Sequence, residues 1–235
     1  MSPEPTEPPE PIQRPVRVWD LPTRLFHWIL SLTVIGSLAT GQVGGNALVW
    51  HTRLGLLVLA LLVFRLVWGF VGGYWSRFAS FLYGPRSVVA YLRGEPGPDG
   101  RYDVGHSPVG ALSVFALLGL LAAQVATGLV ADDEIATTGP LYRFVSSATS
   151  GAATGWHTEF GKPLLIVLVV LHVAAVLYYQ WRKRRNLLAP MLHGDMTLPA
   201  GTQASTDSAG RRIVALTVFA AAAALAWWLD SLGNA

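Results

Sequence analysis

The segment at positions 109–131 contains no charged residue and is long enough to cross a lipid bilayer as one helix. A transmembrane helix needs about 20 consecutive, mostly apolar residues. Four further segments approach this length, at positions 25–40, 54–73, 163–181 and 213–229. Only 13% of the 235 residues are charged, whereas soluble domains carry roughly 25%. The chain is therefore predicted to be an all-α integral membrane protein with five spans.

Lys and Arg residues are concentrated in three connecting segments. Thirteen of the 17 precede the first span, separate the second span from the third, or separate the fourth from the fifth. Cytoplasmic loops of membrane proteins carry such an excess of positive charge. The N-terminus is therefore predicted to be cytoplasmic, and the C-terminus to lie on the opposite, outer side. The basic loops then face anionic lipid, and no basic and aromatic pattern in the sequence indicates nucleic-acid binding.

The spans divide the chain into four predicted parts. Residues 1–16 are rich in Pro and Glu, a composition typical of a disordered tail. Residues 17–191 contain the first four spans and are predicted to form one four-helix domain. Residues 192–211 are predicted to be a polar cytoplasmic linker, and residues 212–235 contain the fifth transmembrane helix.

The chain contains no Cys and six His residues. The absence of Cys excludes disulfides, thiolate metal sites, iron–sulfur clusters and covalently attached c-type haem. Any metal or cofactor site must therefore rest on His. Four His residues lie at or within the predicted spans: His27, His51, His157 and His172. Ionisable residues at membrane depth indicate function by default, although a single His near a membrane interface is more often a satisfied interfacial residue.

The spacing and direction of the spans group these four residues into two pairs. His157 and His172 lie 15 residues apart on the fourth span, which corresponds to a rise of about 22 Å and broadly the same helical sector. His27 is predicted at the depth of His172, and His51 at the depth of His157. We call His27 and His172 the inner pair, and His51 and His157 the outer pair. Two non-covalent b-type haems with bis-His ligation fit this arrangement.

Other residues are candidates for contact with these cofactors. Gly55 and Gly161 follow His51 and His157 by four positions, so each could leave room for a planar macrocycle or serve helix packing instead. Arg65 lies about 21 Å beyond His51 along the second span. Its guanidinium could bind a haem propionate, or it could extend to the membrane interface.

His106 lies in an inner loop just before the third span. The Ser and Pro that follow it suit a helix start. His106 could line a quinone site or a proton-uptake site on the inner side, and a structural role is an equal alternative.

Five segments together resemble the prokaryotic cytochrome b561 family, which includes the b-type cytochrome subunits of nickel–iron hydrogenases. They are RVWDLPTRLFHW, HTRLGLLVLALLVFRLVWGFVG, WSRFASF, GHSPVGALSVFALL and WHTEFGKPLLIVLVVLHVAAVLYY, in this order from about residue 17 to residue 191. The resemblance implies a four-helix core that holds two b haems through one His on each of the first two helices and two on the fourth. The matching positions are His27, His51, His157 and His172, and the positions of Arg65 and His106 match as well.

The fifth span and its linker depart from the minimal four-helix pattern, and such an addition favours the multisubunit branch of the family. The resemblance implies transmembrane electron transfer in a bacterial cytoplasmic membrane. The partners would be membrane quinone and a periplasmic redox subunit or c-type cytochrome. A self-sufficient di-haem quinone oxidoreductase, acting on a small oxidant or reductant such as superoxide, is one alternative. A haem-free transporter that moves protons or metal through His and Arg is another, but the sequence shows no inverted repeats or broken helices.

Overall fold

The computed structural model describes residues 12–97 and 102–233. The described helices and strands are β1 (Gln13–Arg17), α1 (Leu21–Val43), α2 (Leu48–Val71), α3 (Pro85–Leu92), α4 (Pro108–Gly128), α5 (Ser147–Gly155), α6 (Lys162–Trp181), α7 (Leu188–His193), β2 (Asp195–Pro199) and α8 (Ala209–Gly233). A π-helical turn at Trp156–Gly161 joins α5 to α6, so that Ser147–Trp181 is one continuous span of 35 residues. Within the described residues, five helical segments are long and apolar enough to cross a membrane, which confirms the predicted number of spans and the all-α class.

The observed helices are longer than the predicted spans. The predicted spans covered only the apolar runs, whereas the terminal turns of the helices contain polar residues. Asp20 caps α1 by accepting a hydrogen bond from the Thr23 backbone N–H at 2.8 Å, so α1 begins one turn before the apolar run. Gly44 ends α1 with a φ of 68°, a conformation that glycine adopts without strain. The helix α2 begins at Leu48, and its first turns include the polar stretch around His51.

The first four spans pack around a common core. Val34 on α1, Val58 on α2, Leu120 on α4 and Leu165 on α6 belong to one buried cluster. The helix α6 packs against α4, and it faces α1 and α2 across the space that both His pairs occupy. The fold therefore positions the candidate ligands at two depths inside the bundle.

The fifth span, α8, packs on the outside of α2. Its small residues Ala215, Ala222 and Ala226 are buried against Phe64 and Trp68. Small side chains let helix backbones approach closely in membranes. The helix α8 is therefore an addition to the four-helix core.

A small folded layer covers the end of the bundle where α1 begins. Its strands β1 and β2 pair in antiparallel register, with Val16 opposite Met196. We call the two strands and the turn at Tyr74–Ser76 the inner cap. The buried apolar side chains of this region are Val16, Val18, Trp19, Trp75, Val104 and Leu198.

Asp20 joins the inner cap to the helices. Its carboxylate is fully buried. Besides capping α1, it accepts hydrogen bonds from the Gly73 N–H at 2.8 Å, the Ser76 hydroxyl at 3.0 Å and the Trp68 indole N–H at 3.2 Å. Hydrogen bonds to a charged group are the stronger ones in proteins, so this carboxylate links the start of α1 to the end of α2.

The inner cap contains residues from two parts of the chain that were predicted to be a disordered tail and a polar linker. Residues 13–16, predicted as disordered tail, belong to β1, while residues 1–11 lie outside the described residues. The predicted linker at 192–211 contains β2 and the buried Ser205. The reason is a non-local contact: Arg17 binds Asp195 at 2.7 Å and Asp207 at 3.0 Å, and these partners are 178 and 190 positions away.

Candidate haem sites

The outer pair joins α2 to the π-helical turn. The ring centroids of His51 and His157 lie 5.9 Å apart, with their planes at 88°. His51 Nδ1 lies 2.8 Å from the Ser37 carbonyl oxygen, and His157 Nδ1 lies 2.9 Å from the Gln124 carbonyl oxygen. A carbonyl oxygen only accepts hydrogen bonds, so both Nδ1 atoms must donate. Each ring therefore keeps the lone pair on Nε2, the nitrogen that remains for a metal ion.

A cavity of about 230 Å³ surrounds the outer pair. It is lined by residues of α1, α2, α4, the π-helical turn and the loop after α4, among them Gly41, Gly55 and Gly128. Both rings of the outer pair face this space. The outer end of the bundle is therefore a preformed cavity with two oriented imidazoles.

The inner pair joins α1 to α6. The ring centroids of His27 and His172 lie 6.4 Å apart, with their planes at 51°. The Nδ1 atom of His27 is buried, and it has no hydrogen-bond partner among the residues that the structure describes. The inner pair is thus brought together like the outer pair, but a protein acceptor does not fix the His27 ring.

The separations within both pairs fit metal ligation. Two imidazoles that bind one metal ion from opposite sides, each at about 2.0 Å from nitrogen to metal, hold their ring centroids about 6 Å apart. The observed 5.9 Å and 6.4 Å agree with this value. The residues present therefore fit two bis-His haems, one at each depth.

Arg65 lies in the interior at the inner end of α2. The side chain is 3% exposed, and its guanidinium lies 4.6 Å above the Phe78 ring. Its Nη1 atom makes no hydrogen bond within residues 12–97 and 102–233. The side chain is enclosed by protein, and it offers an unpaired buried donor.

His106 lies beside the inner pair. Its ring is held between Trp19 and Phe81, with centroid distances of 4.8 Å and 4.5 Å. Burial, together with the smaller effect of the nearby positive charge of Arg65, lowers the pKa of His106 to about 3. His106 is therefore neutral at physiological pH, and its buried Nδ1 is unpaired in the described part of the chain.

The inner end thus collects several unsatisfied polar atoms: Arg24 Nε, His27 Nδ1, Arg65 Nη1 and His106 Nδ1. Buried polar groups are normally hydrogen-bonded, and the exceptions call for an explanation. Two of the four belong to permanently cationic guanidinium groups. The set fits a cofactor with carboxylate groups, which the propionates of haem provide.

The two predicted glycines occupy different environments. A Cβ built on Gly55 would meet nothing within 4 Å, and Gly55 lines the outer cavity. A Cβ built on Gly161 would lie 2.1 Å from Gln124 Oε1 and 2.5 Å from the Trp156 ring. Gly161 therefore serves close packing against α4, because the π-helical turn changes the face that follows His157. This environment favours the helix-packing alternative for Gly161, and a contact between Gly161 and a macrocycle stays a prediction.

Two other glycines lie against the outer ligands, although no spacing to a His in the sequence marks them. A Cβ on Gly41 would lie 2.9 Å from His51 Nδ1, and one on Gly128 would lie 3.1 Å from His157 Cε1. Gln124 was also missed, although it is the one amide in the charge-free third span. A polar residue at membrane depth is itself a signal of function.

Comparison with known proteins shows the family of this chain. Residues 18–194 match the model of the family described as prokaryotic cytochrome b561. A protein of Bradyrhizobium diazoefficiens, named "Probable Ni/Fe-hydrogenase B-type cytochrome subunit", is 23% identical over 215 residues, covering 77% of this chain and 85% of the relative. Solved structures offer no significant match. Because the family match covers most of the chain and all four candidate ligands, this protein belongs to the prokaryotic cytochrome b561 family of transmembrane electron-transfer proteins.

Proposed function

We propose that this protein carries electrons across the bacterial cytoplasmic membrane through two b haems, between a periplasmic redox partner and membrane quinone. The observation that carries the proposal is the pair of His–His separations, 6.4 Å at the inner end and 5.9 Å at the outer end. Both pairs share the helical run Ser147–Trp181. Their ligands on this run are separated by about 22 Å along the helix, so these residues would hold two haems at different depths of the bilayer.

Haem b supplies a one-electron Fe(III)/Fe(II) couple when it is bound. The chain's own residues would hold and orient it. The carbonyl groups of Ser37 and Gln124 fix the Nδ1 tautomer of the outer ligands. Arg65 and Arg24 provide positive charge at the inner end, where the propionates of the inner haem would lie. All four candidate ligands are half-buried between the helices.

The partners follow from what this chain lacks and from its relative. The sequence has no Cys, so any iron–sulfur or c-type haem relay belongs to another molecule. The relative's name describes a subunit of a nickel–iron hydrogenase, which supports a periplasmic redox subunit as the partner of the outer haem. Quinone is the lipid-soluble partner of the inner haem. The excess of Lys and Arg in three connecting segments supports a cytoplasmic N-terminus and a periplasmic C-terminus.

Visible spectroscopy of the purified protein tests this proposal. We expect a dithionite-reduced spectrum with a b-type α band, and chemical extraction should yield two haems per chain. Addition of a reduced quinol should reduce part of this signal. A protein without a reducible b-type band would overturn the proposal and leave the transporter alternative. Steady turnover of quinone by the isolated chain with a small oxidant or reductant would instead indicate the self-sufficient oxidoreductase, whereas a stable complex with a periplasmic protein supports the electron-transfer subunit.

A further inference from the structure

We propose that Gln124 is the positioning residue of the outer haem, because it holds both the ring and the backbone of His157. The proposal rests on the proposed haem function and adds a specific role for a side chain that neither the family match nor the relative assigns. Its basis is a reciprocal contact between the two residues, together with an unusual backbone turn at His157.

Gln124 contacts His157 at two places. The backbone carbonyl of Gln124 accepts the His157 Nδ1–H at 2.9 Å. The side-chain amide Nε2 of Gln124 donates to the His157 carbonyl oxygen at 3.1 Å. One contact therefore fixes the rotation of the imidazole, and the other fixes the peptide group that carries it.

The backbone at His157 needs such support because it is π-helical. The turn covers Trp156–Gly161, and the N–H of Lys162 bonds to the His157 carbonyl. Single π-helical turns are rare, and they occur frequently at functional sites. The Gln124 amide gives the His157 carbonyl a second donor, and it ties the turn to the neighbouring helix α4.

The space for this amide is made by Gly161. The Gln124 side chain is buried, and its Oε1 would lie only 2.1 Å from a Cβ at position 161. Any larger residue at 161 would displace the amide from the π-helical turn. Gln124 and Gly161 therefore form one packing unit that sets the position of His157.

The arrangement is specific to the outer ligand on this helix. Thr127 adds a contact between its hydroxyl and His157 Nδ1 at 3.2 Å, and Gly128 leaves room beside the ring. All three residues lie on α4 within five positions of one another. His172, the inner ligand on the same helical run, lies about 22 Å away along the helix, so changes at Gln124 should act on one haem only.

The test replaces Gln124 in the full-length, haem-loaded protein and measures each haem separately. Gln124→Met keeps the length of the side chain but removes its hydrogen-bonding groups. We expect this variant to lose its outer haem about tenfold more readily to an excess of apo-myoglobin, since loss of a supporting contact typically weakens ligand binding by 10-fold or more. The outer haem is identified as the component that is missing in His51→Ala.

A spectroscopic signature separates positioning from general destabilisation. The largest g value of a low-spin ferric bis-imidazole haem depends on the angle between the two imidazole planes, which is 88° in the outer pair. We expect Gln124→Met to shift the outer g value and to leave the inner signal unchanged. Gln42→Met makes the same chemical change at an exposed position of α1, and it should leave both signals unchanged.

Gln124→Asn keeps the amide but shortens its reach, and it serves if Gln124→Met does not accumulate in the membrane. It should shift the same component in the same direction. Unchanged haem release and unchanged g values in a Gln124 variant that retains two haems would overturn the positioning role and leave the proposed function intact. A parent protein that binds no haem would overturn both.

Discussion

Each end of the bundle holds a pair of His residues, but the surroundings of the two pairs differ. At the outer end, both Nδ1 atoms donate to backbone carbonyls, and the rings face a preformed cavity. At the inner end, His27 Nδ1 is buried without an acceptor in the described residues, and Arg65 Nη1 is also unpaired. The outer site is arranged by hydrogen bonds within the protein, whereas the inner site has charge and polar atoms that a cofactor would satisfy.

This difference indicates how each site would control its haem. A hydrogen bond to Nδ1 orients an imidazole ligand and increases its basicity. A buried positive charge instead favours the reduced form of the iron, which carries less positive charge. We therefore expect the outer haem to respond most to changes in packing around its ligands, and the inner haem to changes in charge.

The largest expected effect comes from removing the ligands. His51→Ala and His157→Ala should each reduce the haem content from two to one and abolish the same redox component. His27→Ala and His172→Ala should abolish the other component. Redox titration monitored by visible absorption measures both. The loss of a common component in His51→Ala and His172→Ala would contradict the pairing and, with it, the comparison of two separate ends.

The second-largest effect is expected from changes in packing around the outer haem. Gly41→Ala places a Cβ 2.9 Å from His51 Nδ1, where it competes with the bond to Ser37. We expect the outer haem to bind about tenfold more weakly, as measured by haem transfer to apo-myoglobin.

Gly55→Ala adds a methyl group to open cavity space, so it should lower haem retention without lowering the thermal stability of the haem-depleted protein. Full retention in Gly55→Ala would mean that the macrocycle does not approach this part of α2.

A change of charge should affect the inner haem alone. Arg65→Leu removes a buried cation that destabilises the oxidised form of the inner haem. The midpoint potential of the inner haem should therefore be lower in this variant than in the parent protein. A fall of about 60 mV corresponds to a tenfold change in a one-electron equilibrium. Arg53→Leu on the same helix is a matched control, because Arg53 is exposed and lies over the Trp50 ring. An equal shift of the outer component in Arg65→Leu would show that Arg65 does not distinguish the two ends.

The smallest effect is expected in the loop above the outer cavity. Asp133 accepts hydrogen bonds from the N–H groups of Ile135, Ala136 and Thr137 at 2.8–3.0 Å. These bonds hold the pKa of Asp133 below its ordinary value. At a pH above the ordinary Asp pKa of about 3.9, the hydrogen bonds to Asp133 should order the loop fully. As the pH falls through the lowered pKa of Asp133, its carboxylate becomes protonated and this order should be lost. Hydrogen exchange of these amides should be faster in Asp133→Ala than in the parent at neutral pH, and equally fast in both under strong acid.

Much of the candidate site could be predicted because its determinants are local. The number of spans follows from apolar runs of sufficient length. The depths of His157 and His172 follow from the constant rise of a helix. The choice between cofactor contact and helix packing at Gly161 could not be made from the sequence, because the turn at His157 is π-helical and α-helical spacing does not apply to it.

The sequence by itself determined a five-span helical membrane protein in which four His residues occupy two depths. The tertiary structure alone decided that residues 13–17 pair with residues 195–199, and that Gln124 reaches His157 from another helix. Helix rise and hydropathy act over a few neighbouring positions, so a sequence pattern records them directly. Strand pairing across most of the chain and contacts between helices depend on how the whole bundle packs, and no local pattern encodes them.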